Sequence, residues 1–284
     1  MGPMFLPAVL SKVGGPLGAL TIGTLGGGTN WPGGSYDPET HTVYASAANA
    51  GVSPLGLVEP PPGFSDLKYV AGVAGREFRI NEGPGFGTNA EAPKVSVSQQ
   101  RLRQLGIATA PEAAPAAPAA GAAAAGGGGG GGTTVQGLPL VKPPYGVLSA
   151  INLDRGELVW QVPHGDTPDV VRNHPALKGL NIPKTGQQGS VGQVVTKTLV
   201  ILGDPQVTTT PDHPRGAMLR AYDKTNGNQV GAVWMPAPQS GSPMTYKGQD
   251  GRQYLIVSIS GGNYSGEYLA FALPASEMRP TSQQ

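Results

Sequence analysis

The chain has 284 residues, 38% of them hydrophobic, which is enough for one large domain or two ordinary ones with a real core. The formal net charge is +1 with basic residues scattered along the chain, so neither nucleic acid nor an anionic membrane surface is expected as a partner. There is no cysteine, which excludes disulfides, thiolate metal sites and a cysteine nucleophile.

The N-terminal segment is apolar but is broken repeatedly by Pro and Gly. "MGPMFLPAVLSKVGGPLGALTIGTLGGG" has no basic region ahead of its apolar stretch, so we expect no signal peptide in this chain. No run of about eighteen uninterrupted apolar residues occurs, so we also expect no membrane span in it. Residues 1–60 alternate apolar and small residues between turn signals, as in "YDPETHTVYASA", and this pattern predicts β-strands.

The middle of the chain has a different composition. Residues 61–107 predict an irregular insertion, in which only "VSVSQQRLRQLGI" has weak helical character. Residues 108–134 are Ala, Pro and Gly with almost no side chains that could form a core, and they predict a disordered low-complexity linker. Residues 276–284 are read as a tail.

An internal repeat follows the linker. "AINLDRGELVW" at residues 150–160 aligns with "AYDKTNGNQVG" at residues 221–231, with Asn or Asp third and Gly seventh. Each segment predicts a hairpin whose Asx side chain bonds the turn backbone and whose Gly adopts a positive φ. Further strands are predicted in "GQVVTKTLVILGD" and in "GSPMTYKGQDGRQYLIVSISGG", with a turn at residues 249–251 and a buried strand at 254–259. Such regular turn spacing favours a sandwich, a barrel or a propeller.

The repeat resembles the tryptophan-docking repeat, Ala-x-Asp-x-x-x-Gly-x-x-x-Trp, of the eight-bladed propeller quinoproteins. "LSAINLDRGELVWQVPHGD", "GAMLRAYDKTNGNQVG" and "GEYLAFALP" are similar to segments in the C-terminal part of the pyrroloquinoline quinone (PQQ)-dependent dehydrogenases of the glucose, quinate and polyol type. The resemblance covers residues 1–60 and 136–275. It implies an all-β fold, a partial β-propeller of about three four-stranded blades, with one blade in residues 1–60 and the others in 135–275. The second repeat departs from the pattern, because Gly231 stands at the docking position and Trp234 lies three residues further on.

The resemblance also implies a cofactor site. In "GGGTNWPGGSYDPETHTVYASA", Asn30 and Trp31 match an Asn-Trp pair that contacts the edge of PQQ near the propeller axis. An amide can both donate to and accept from quinone or carboxylate oxygens, and neighbouring glycines allow close approach of the backbone. Gly189 and Gly192 are further cofactor-binding candidates in a glycine-rich inner strand. The alternative is that Trp31 belongs to the blade core, Asn30 to a turn, and the glycines to strand bends.

A long polar loop, "VPHGDTPDVVRNHPALKGLNIPKTG", is of the kind that covers active sites, and Arg172 and His174 are its candidate substrate-side residues. Its two His and two Asp residues fit no compact metal motif, so we expect no metal site in this chain. The aspartates of the hairpin turns are expected to bond the backbone rather than to act in catalysis.

Such enzymes oxidise a sugar or alcohol hydroxyl by hydride transfer to PQQ, with Ca²⁺ polarising the quinone and an Asp acting as general base. The Ca²⁺ ligands and the base have no match in this sequence, so no catalytic residue is assigned. The chain is therefore expected to be an incomplete C-terminal portion, inactive alone, of a periplasmic dehydrogenase that passes electrons to a quinone or cytochrome. Two alternatives remain: a non-enzymatic quinoprotein-like propeller scaffold for protein partners, and a secreted structural module carried on the Ala/Gly tether.

Overall fold

The structure is a computed structural model that describes residues 8–22, 28–30, 32–75, 134–261 and 264–272. Trp31, the weakly helical stretch at 95–107 and the linker up to residue 133 lie outside the described residues. The chain divides into two compact units, Met1–Thr21 with Ser53–Ala119, and Ile22–Val52 with Ala120–Gln284.

The regular secondary structure of the described residues is almost entirely β-strand. In chain order the strands are β1 (Val9–Leu10), β2 (Ala19–Ile22), β3 (Gly34–Asp37), β4 (Thr42–Ala48), β5 (Val52–Val58), β6 (Val70–Ala71), β7 (Thr134–Val135), β8 (Leu138–Pro139), β9 (Gly146–Asn152), β10 (Glu157–Pro163), β11 (Val194–Val195), β12 (Leu199–Gly203), β13 (Thr208–Thr210), β14 (His213–Asp223), β15 (Gln229–Met235), β16 (Met244–Lys247), β17 (Gln253–Gly261) and β18 (Tyr264–Ala272). The helical residues are one turn of α-helix, α1 (Asp169–Arg172), and a 3₁₀ turn at Pro175–Leu177.

The first unit contains one small sheet. Its strand order is β1-β5-β2, with β6 paired to β5 as well, and β1 runs parallel to β5.

The second unit contains three larger sheets that follow one another along the chain. The first sheet has the order β3-β4-β9-β10, so its strands come from both predicted blade segments, 1–60 and 135–275. The second sheet has the order β11-β12-β14, with β13 and β15 both paired to β14. The third has the order β16-β17-β18. In each sheet successive strands pair antiparallel.

The two aligned segments occupy equivalent places in neighbouring sheets. Residues 150–160 span the β9–β10 hairpin, and residues 221–231 span the β14–β15 hairpin. Gly156 and Gly227 have φ values of 65° and 75°, a conformation that side chains with a Cβ adopt only with strain. The predicted hairpins and the predicted role of these glycines are confirmed.

The three sheets pack face to face in chain order. Tyr44 and Leu148 of the first sheet pack against Val200, Leu202 and Tyr222 of the second, and all five are almost completely buried. A second layer joins the second and third sheets. It contains Ala217, Leu219, Met235, Val257 and Ile259. Antiparallel sheets that stack face to face in chain order are the packing pattern of a propeller, whose complete blades have four strands.

Residues 254–259 were predicted to form a buried strand. This is confirmed for Val257 and Ile259, which are buried, and wrong for Tyr254 and Ile256, which are only half-buried. The physical reason is the alternation of a strand, since odd-numbered side chains of β17 face the second sheet and even-numbered ones face away.

Trp160 connects the first two sheets at the position that the docking repeat predicts. Its indole Nε1 donates to the carbonyl of Lys224 at 3.1 Å, and a Cβ added to Gly227 would lie 2.7 Å from its ring. In the second repeat a Cβ at Gly231 would meet nothing within 4 Å. Trp234 is 40% exposed, and its Nε1 donates to the Pro214 carbonyl of its own sheet. The two blades therefore pack differently, as the departure at Gly231 predicts.

A buried ion pair also joins the first two sheets. Lys224 Nζ donates to Asp37 Oδ2 at 2.7 Å, and the two side chains are 7% and 4% exposed. Burial raises the pKa of Asp37, but the hydrogen bonds from Lys224, Thr40 and the Glu39 N–H outweigh it and hold that pKa below its usual value. The Lys224 carbonyl also accepts a hydrogen bond from the Tyr44 hydroxyl. Lys224, in the β14–β15 turn, thus binds the first sheet through its charged side chain and through its backbone carbonyl.

Among the described residues, no helix combines the length and the apolar character needed to cross a bilayer.

Candidate functional site

The site is built where the first strand of each sheet begins. Because the strands of each sheet alternate in direction, the starts of β3, β11 and β16 lie at the same end of their sheets as the start of β9 and the end of β10. We call this the lead-in end, and we call residues 28–34, 189–193 and 239–243 the three lead-in segments. The polar loop, residues 164–188, connects the end of β10 to the second lead-in segment, so both ends of the loop lie at the lead-in end.

The lead-in segments contact one another across sheet boundaries. Gln193 Nε2 donates to the Tyr44 carbonyl at 2.7 Å and to the Gly33 carbonyl at 3.4 Å, which joins the second segment to the first. Gln239 Nε2 donates to the Gly192 carbonyl at 2.6 Å, which joins the third segment to the second. The first strands of the three sheets, β3, β11 and β16, therefore begin close to one another. The strands nearest the axis of a propeller are arranged in this way.

The glycines predicted to bind cofactor have packing reasons within the chain. At Gly189, with φ 151°, a Cβ would lie 2.5 Å from Pro205 Cβ. At Gly192 a Cβ would overlap the side chain of Ser242 from the third lead-in segment. Both positions thus allow protein segments to approach closely at the lead-in end. Contact with a cofactor at either glycine stays a prediction.

Asn30 lies at the lead-in end, beside the first inner strand. Its side chain is exposed, and its carbonyl accepts a hydrogen bond from the Gly33 N–H at 2.8 Å in the turn before β3. Trp31, the other half of the predicted pair, lies outside the described residues.

Arg172 and His174 hold the polar loop together. Arg172 donates to the carbonyls of Thr209 and Thr167 at 2.6 and 2.7 Å, which ties α1 to β13. His174 Nε2 donates to the Gln136 carbonyl, while its Nδ1 accepts the Ala176 N–H at the start of the 3₁₀ turn. The structure gives both side chains partners within the protein, and their substrate-side role stays a prediction.

A network of charged side chains joins the polar loop to the second sheet. Arg220, 4% exposed, forms two hydrogen bonds with Asp204, at 2.6 and 2.8 Å, and a 2.8 Å ion pair with Asp166. Burial opposes the charge of Arg220, but its hydrogen bonds and ion pairs with these carboxylates raise its pKa overall. Burial lowers the pKa of Lys184 to about 8, and the nearby Arg220 charge adds to this effect.

His164, where the loop begins, is buried and neutral. Its Nε2 lies 3.0 Å from the Gly203 carbonyl, and its Nδ1 lies 3.0 Å from the Tyr222 hydroxyl. A carbonyl only accepts, so Nε2 carries the proton and Nδ1 accepts from Tyr222. Burial lowers the pKa of His164 to about 4. This side chain therefore fixes the loop to the second sheet without a charge.

Sequence reasoning missed the polar residues that join the segments. Gln193 and Gln239 are 6% and 4% exposed, and within the described residues Gln193 Oε1 has no hydrogen-bond partner. The sequence offers a partial signal: "PGGS", "VGQ" and "SGS" mark the three lead-in segments, Gln193 ends the second of these motifs and Gln239 directly precedes the third.

Among the described residues no group of three or more His, Asp or Glu side chains is arranged to hold a metal ion. Three of the four aspartates of the hairpin turns bond the backbone as predicted, whereas the fourth, Asp154, lies 3.0 Å from His41 Nδ1. Asp37, Asp223 and Asp250 accept N–H groups two residues further on, at 2.8 to 3.1 Å.

Three face-packed antiparallel sheets whose inner strands begin at a common centre define a segment of a β-propeller. The family described as PQQ, glucose/ethanol/alcohol dehydrogenase, β-propeller domain, matches residues 94–255, more than half of the chain. The chain belongs to this family.

Individual relatives are similar over part of their length. The chain is 28% identical over 257 residues to a probable quinate dehydrogenase (quinone) of Xanthomonas campestris pv. juglandis, covering 87% of this chain and 26% of that protein. It is 33% identical over 143 residues to quinoprotein glucose dehydrogenase A of Acinetobacter calcoaceticus, covering 49% and 16%. The quinohemoprotein alcohol dehydrogenase structure from Comamonas testosteroni matches with a TM-score of 0.40 and 19% identity, covering 87% of this chain and 26% of that one. The chain thus spans about a quarter or less of the relatives it matches.

Proposed function

We propose that this chain is the C-terminal portion of a PQQ-dependent dehydrogenase that oxidises a sugar or alcohol hydroxyl by hydride transfer to PQQ. The observation that carries the proposal is the convergence of the lead-in segments in a chain of this family, joined by Gln193 and Gln239. The whole enzyme acts in the periplasm and passes electrons to a quinone or cytochrome. Its Ca²⁺ ligands and general base come from outside this chain.

The residues at the lead-in end fit PQQ as one wall of a site. Asn30 and Ser242 have exposed side chains there, and both can donate to quinone or carboxylate oxygens. Gln193 is a further residue of the lead-in end, and its buried Oε1 has no hydrogen-bond partner within the part of the chain that the structure describes. When bound, PQQ supplies the quinone that accepts the hydride. The residues of this chain hold and orient the cofactor, and the polar loop limits the access of water.

The proposal is tested by cofactor binding separately from turnover. In the variant Trp160→Phe/Trp234→Phe, Trp31 is the remaining tryptophan of the three in the chain. We expect added PQQ to quench its fluorescence in a saturable way, and Asn30→Ala in the same background to weaken binding. Asn228→Ala, in the distant β14–β15 turn, is the matched control and leaves binding unchanged.

The isolated chain is expected to show no PQQ- and Ca²⁺-dependent dye reduction with glucose, glycerol or quinate. Turnover by the chain alone would contradict the assignment of the base and the metal ligands to another part of the enzyme. Absence of saturable quenching would contradict the proposal that the lead-in end forms one wall of the PQQ site. It would favour the alternative of a non-enzymatic propeller scaffold for protein partners.

A further inference from the structure

The turn that carries Asn30 is fastened to the second sheet as well as to its own. The turn runs from Asn30 to Gly33, and the Gly33 N–H closes it by donating to the Asn30 carbonyl at 2.8 Å. Gln193, at the end of the second lead-in segment, donates from Nε2 to the Gly33 carbonyl at 3.4 Å and to the Tyr44 carbonyl at 2.7 Å. One amide group of the second sheet therefore contacts both the last residue of the turn and the neighbouring strand β4.

Further hydrogen bonds hold the backbone of residues 191–193 against the first sheet. The Ser35 hydroxyl, at the start of β3, donates to the Gln193 carbonyl at 2.5 Å. The Ser46 hydroxyl accepts the Val191 N–H at 3.0 Å. Because both ends of this short stretch are fixed, the Gln193 side chain is held in place beside the turn.

The Gln193 side chain is buried, which makes its contacts with the turn firm. It is 6% exposed, and its Nε2 has two protons, one for each of the two carbonyls. Breaking a buried hydrogen bond is unfavourable because both groups are left without water. Asn30 itself is exposed and precedes β3, so its place depends on where the turn is held.

We propose that Gln193 is a positioning residue of the cofactor site, which holds the Asn30–Gly33 turn so that the Asn30 amide is placed to contact PQQ. The role is exerted through the turn, and it rests on the proposed function, in which Asn30 belongs to one wall of the PQQ site. A group that contacts a ligand has to be held within about 0.5 Å of its productive place. Two neighbouring sheets thus build this part of the wall together.

The first experiment follows the turn itself in the 284-residue chain without cofactor. Gln193→Met keeps a side chain of similar length and removes its donor. We expect amide hydrogen exchange in residues 28–34, read by mass spectrometry of peptides, to become about tenfold faster, because the turn opens more often. Gln161→Met is the matched control. It removes an amide that donates to the Ser149 hydroxyl at 2.9 Å within the first sheet, and exchange in residues 28–34 should stay unchanged.

The second experiment measures the affinity of the same chain for PQQ by titration calorimetry. Gln193→Met should weaken binding about tenfold, whereas Gln161→Met should not change it. In an Asn30→Ala background Gln193→Met should have almost no effect, because no amide is left to be positioned. A purely structural role of Gln193 predicts instead that the two losses add.

The outcomes separate this inference from the proposed function. A wild type that binds no PQQ contradicts the proposed wall of the PQQ site and the positioning role with it. A wild type that binds PQQ, with equal binding by Gln193→Met or additive losses in the double variant, overturns only the positioning role.

Unchanged exchange in residues 28–34 also overturns the positioning role, whatever the affinity for PQQ. Circular dichroism checks that each variant is folded. If Gln193→Met does not fold, Ser35→Ala replaces it, since it removes only the hydroxyl that donates to the Gln193 carbonyl. Exchange in residues 28–34 should then be faster in Ser35→Ala than in the wild type, and equal exchange overturns the proposal.

Discussion

At the scale of single residues, buried polar side chains account for much of the order at the lead-in end. His164 is neutral because it is enclosed, and its two ring nitrogens connect the polar loop to Gly203 and Tyr222. Gln193 and Gln239 connect successive lead-in segments in the same way. Each of these side chains forms a hydrogen bond with a backbone carbonyl of another segment.

His164 makes the stability of the fold depend on pH. The unfolded state takes up a proton near the ordinary pKa of 6.5, whereas the folded state resists protonation until about 4. The unfolded state therefore binds more protons in this window, and stability falls as the pH drops through it. We expect His164 to contribute a loss of about 2 kcal/mol between pH 7.5 and pH 5.

Urea unfolding at several pH values measures this loss. A glutamine at position 164 does not titrate. The loss in the free energy of unfolding between pH 7.5 and pH 5 should therefore be smaller by about 2 kcal/mol in His164→Gln than in the wild type, even if the variant is less stable at pH 7.5. Parallel profiles for His164→Gln and the wild type would show that burial of His164 does not set the pH dependence.

At the scale of elements, local chemistry predicts hairpins well and long-range pairing poorly. The turns at Gly156 and Gly227 were predictable because an Asx residue and a glycine with positive φ determine them within a few residues. The pairing of β4 with β9 was not, because the partners lie on opposite sides of the long segment 61–134. The same limit applies to the lead-in contacts: a lone Gln before a strand carries no sign of its partner.

The docking of Trp160 predicts unequal effects at two equivalent glycines. Gly227→Ala and Gly156→Ala both place a Cβ at positive φ, at a cost of about 1–2 kcal/mol. Only Gly227→Ala also presses on the Trp160 ring, since a Cβ at Gly156 meets nothing within 4 Å. We expect Gly227→Ala to lower the free energy of unfolding by a further 1–3 kcal/mol, about the usual effect of overpacking.

Denaturant unfolding of both variants measures the difference between them. Repeating the pair in a Trp160→Leu background closes the cycle, and there the two glycine substitutions should have nearly equal effects. If the difference survives without the indole, the extra strain at Gly227 has another origin than the docking contact.

At the scale of the whole molecule, neighbouring sheets are joined by contacts that the sequence does not reveal. A lysine in a polar hairpin turn is typical of a solvated surface, yet Lys224 is enclosed and pairs with Asp37, 187 residues away in the chain. The family resemblance predicted stacked blades and the place of Trp160. It did not predict this ion pair, because a charge partner on another blade leaves no local pattern.

The ion pair predicts strong coupling between the first two sheets. Lys224→Met leaves the Asp37 carboxylate enclosed without its cation and should lower the free energy of unfolding by about 3–5 kcal/mol. Asp37→Asn/Lys224→Met removes the unpaired charge and keeps one oxygen as an acceptor for the Glu39 N–H, while the Thr40 hydroxyl can rotate to accept from the new Nδ2, so the double variant should recover a large part of the loss. Glu39→Gln is the control: its side chain is 66% exposed and lies 3.5 Å from Lys224, and the effect should stay within about 0.5 kcal/mol. Adding the single variant Asp37→Asn completes a double-mutant cycle with the wild type, Lys224→Met and the double variant, and unfolding curves for these proteins give the coupling energy. A double variant as unstable as Lys224→Met would mean that the lysine stabilises the sheets through its stem and its carbonyl rather than through its charge.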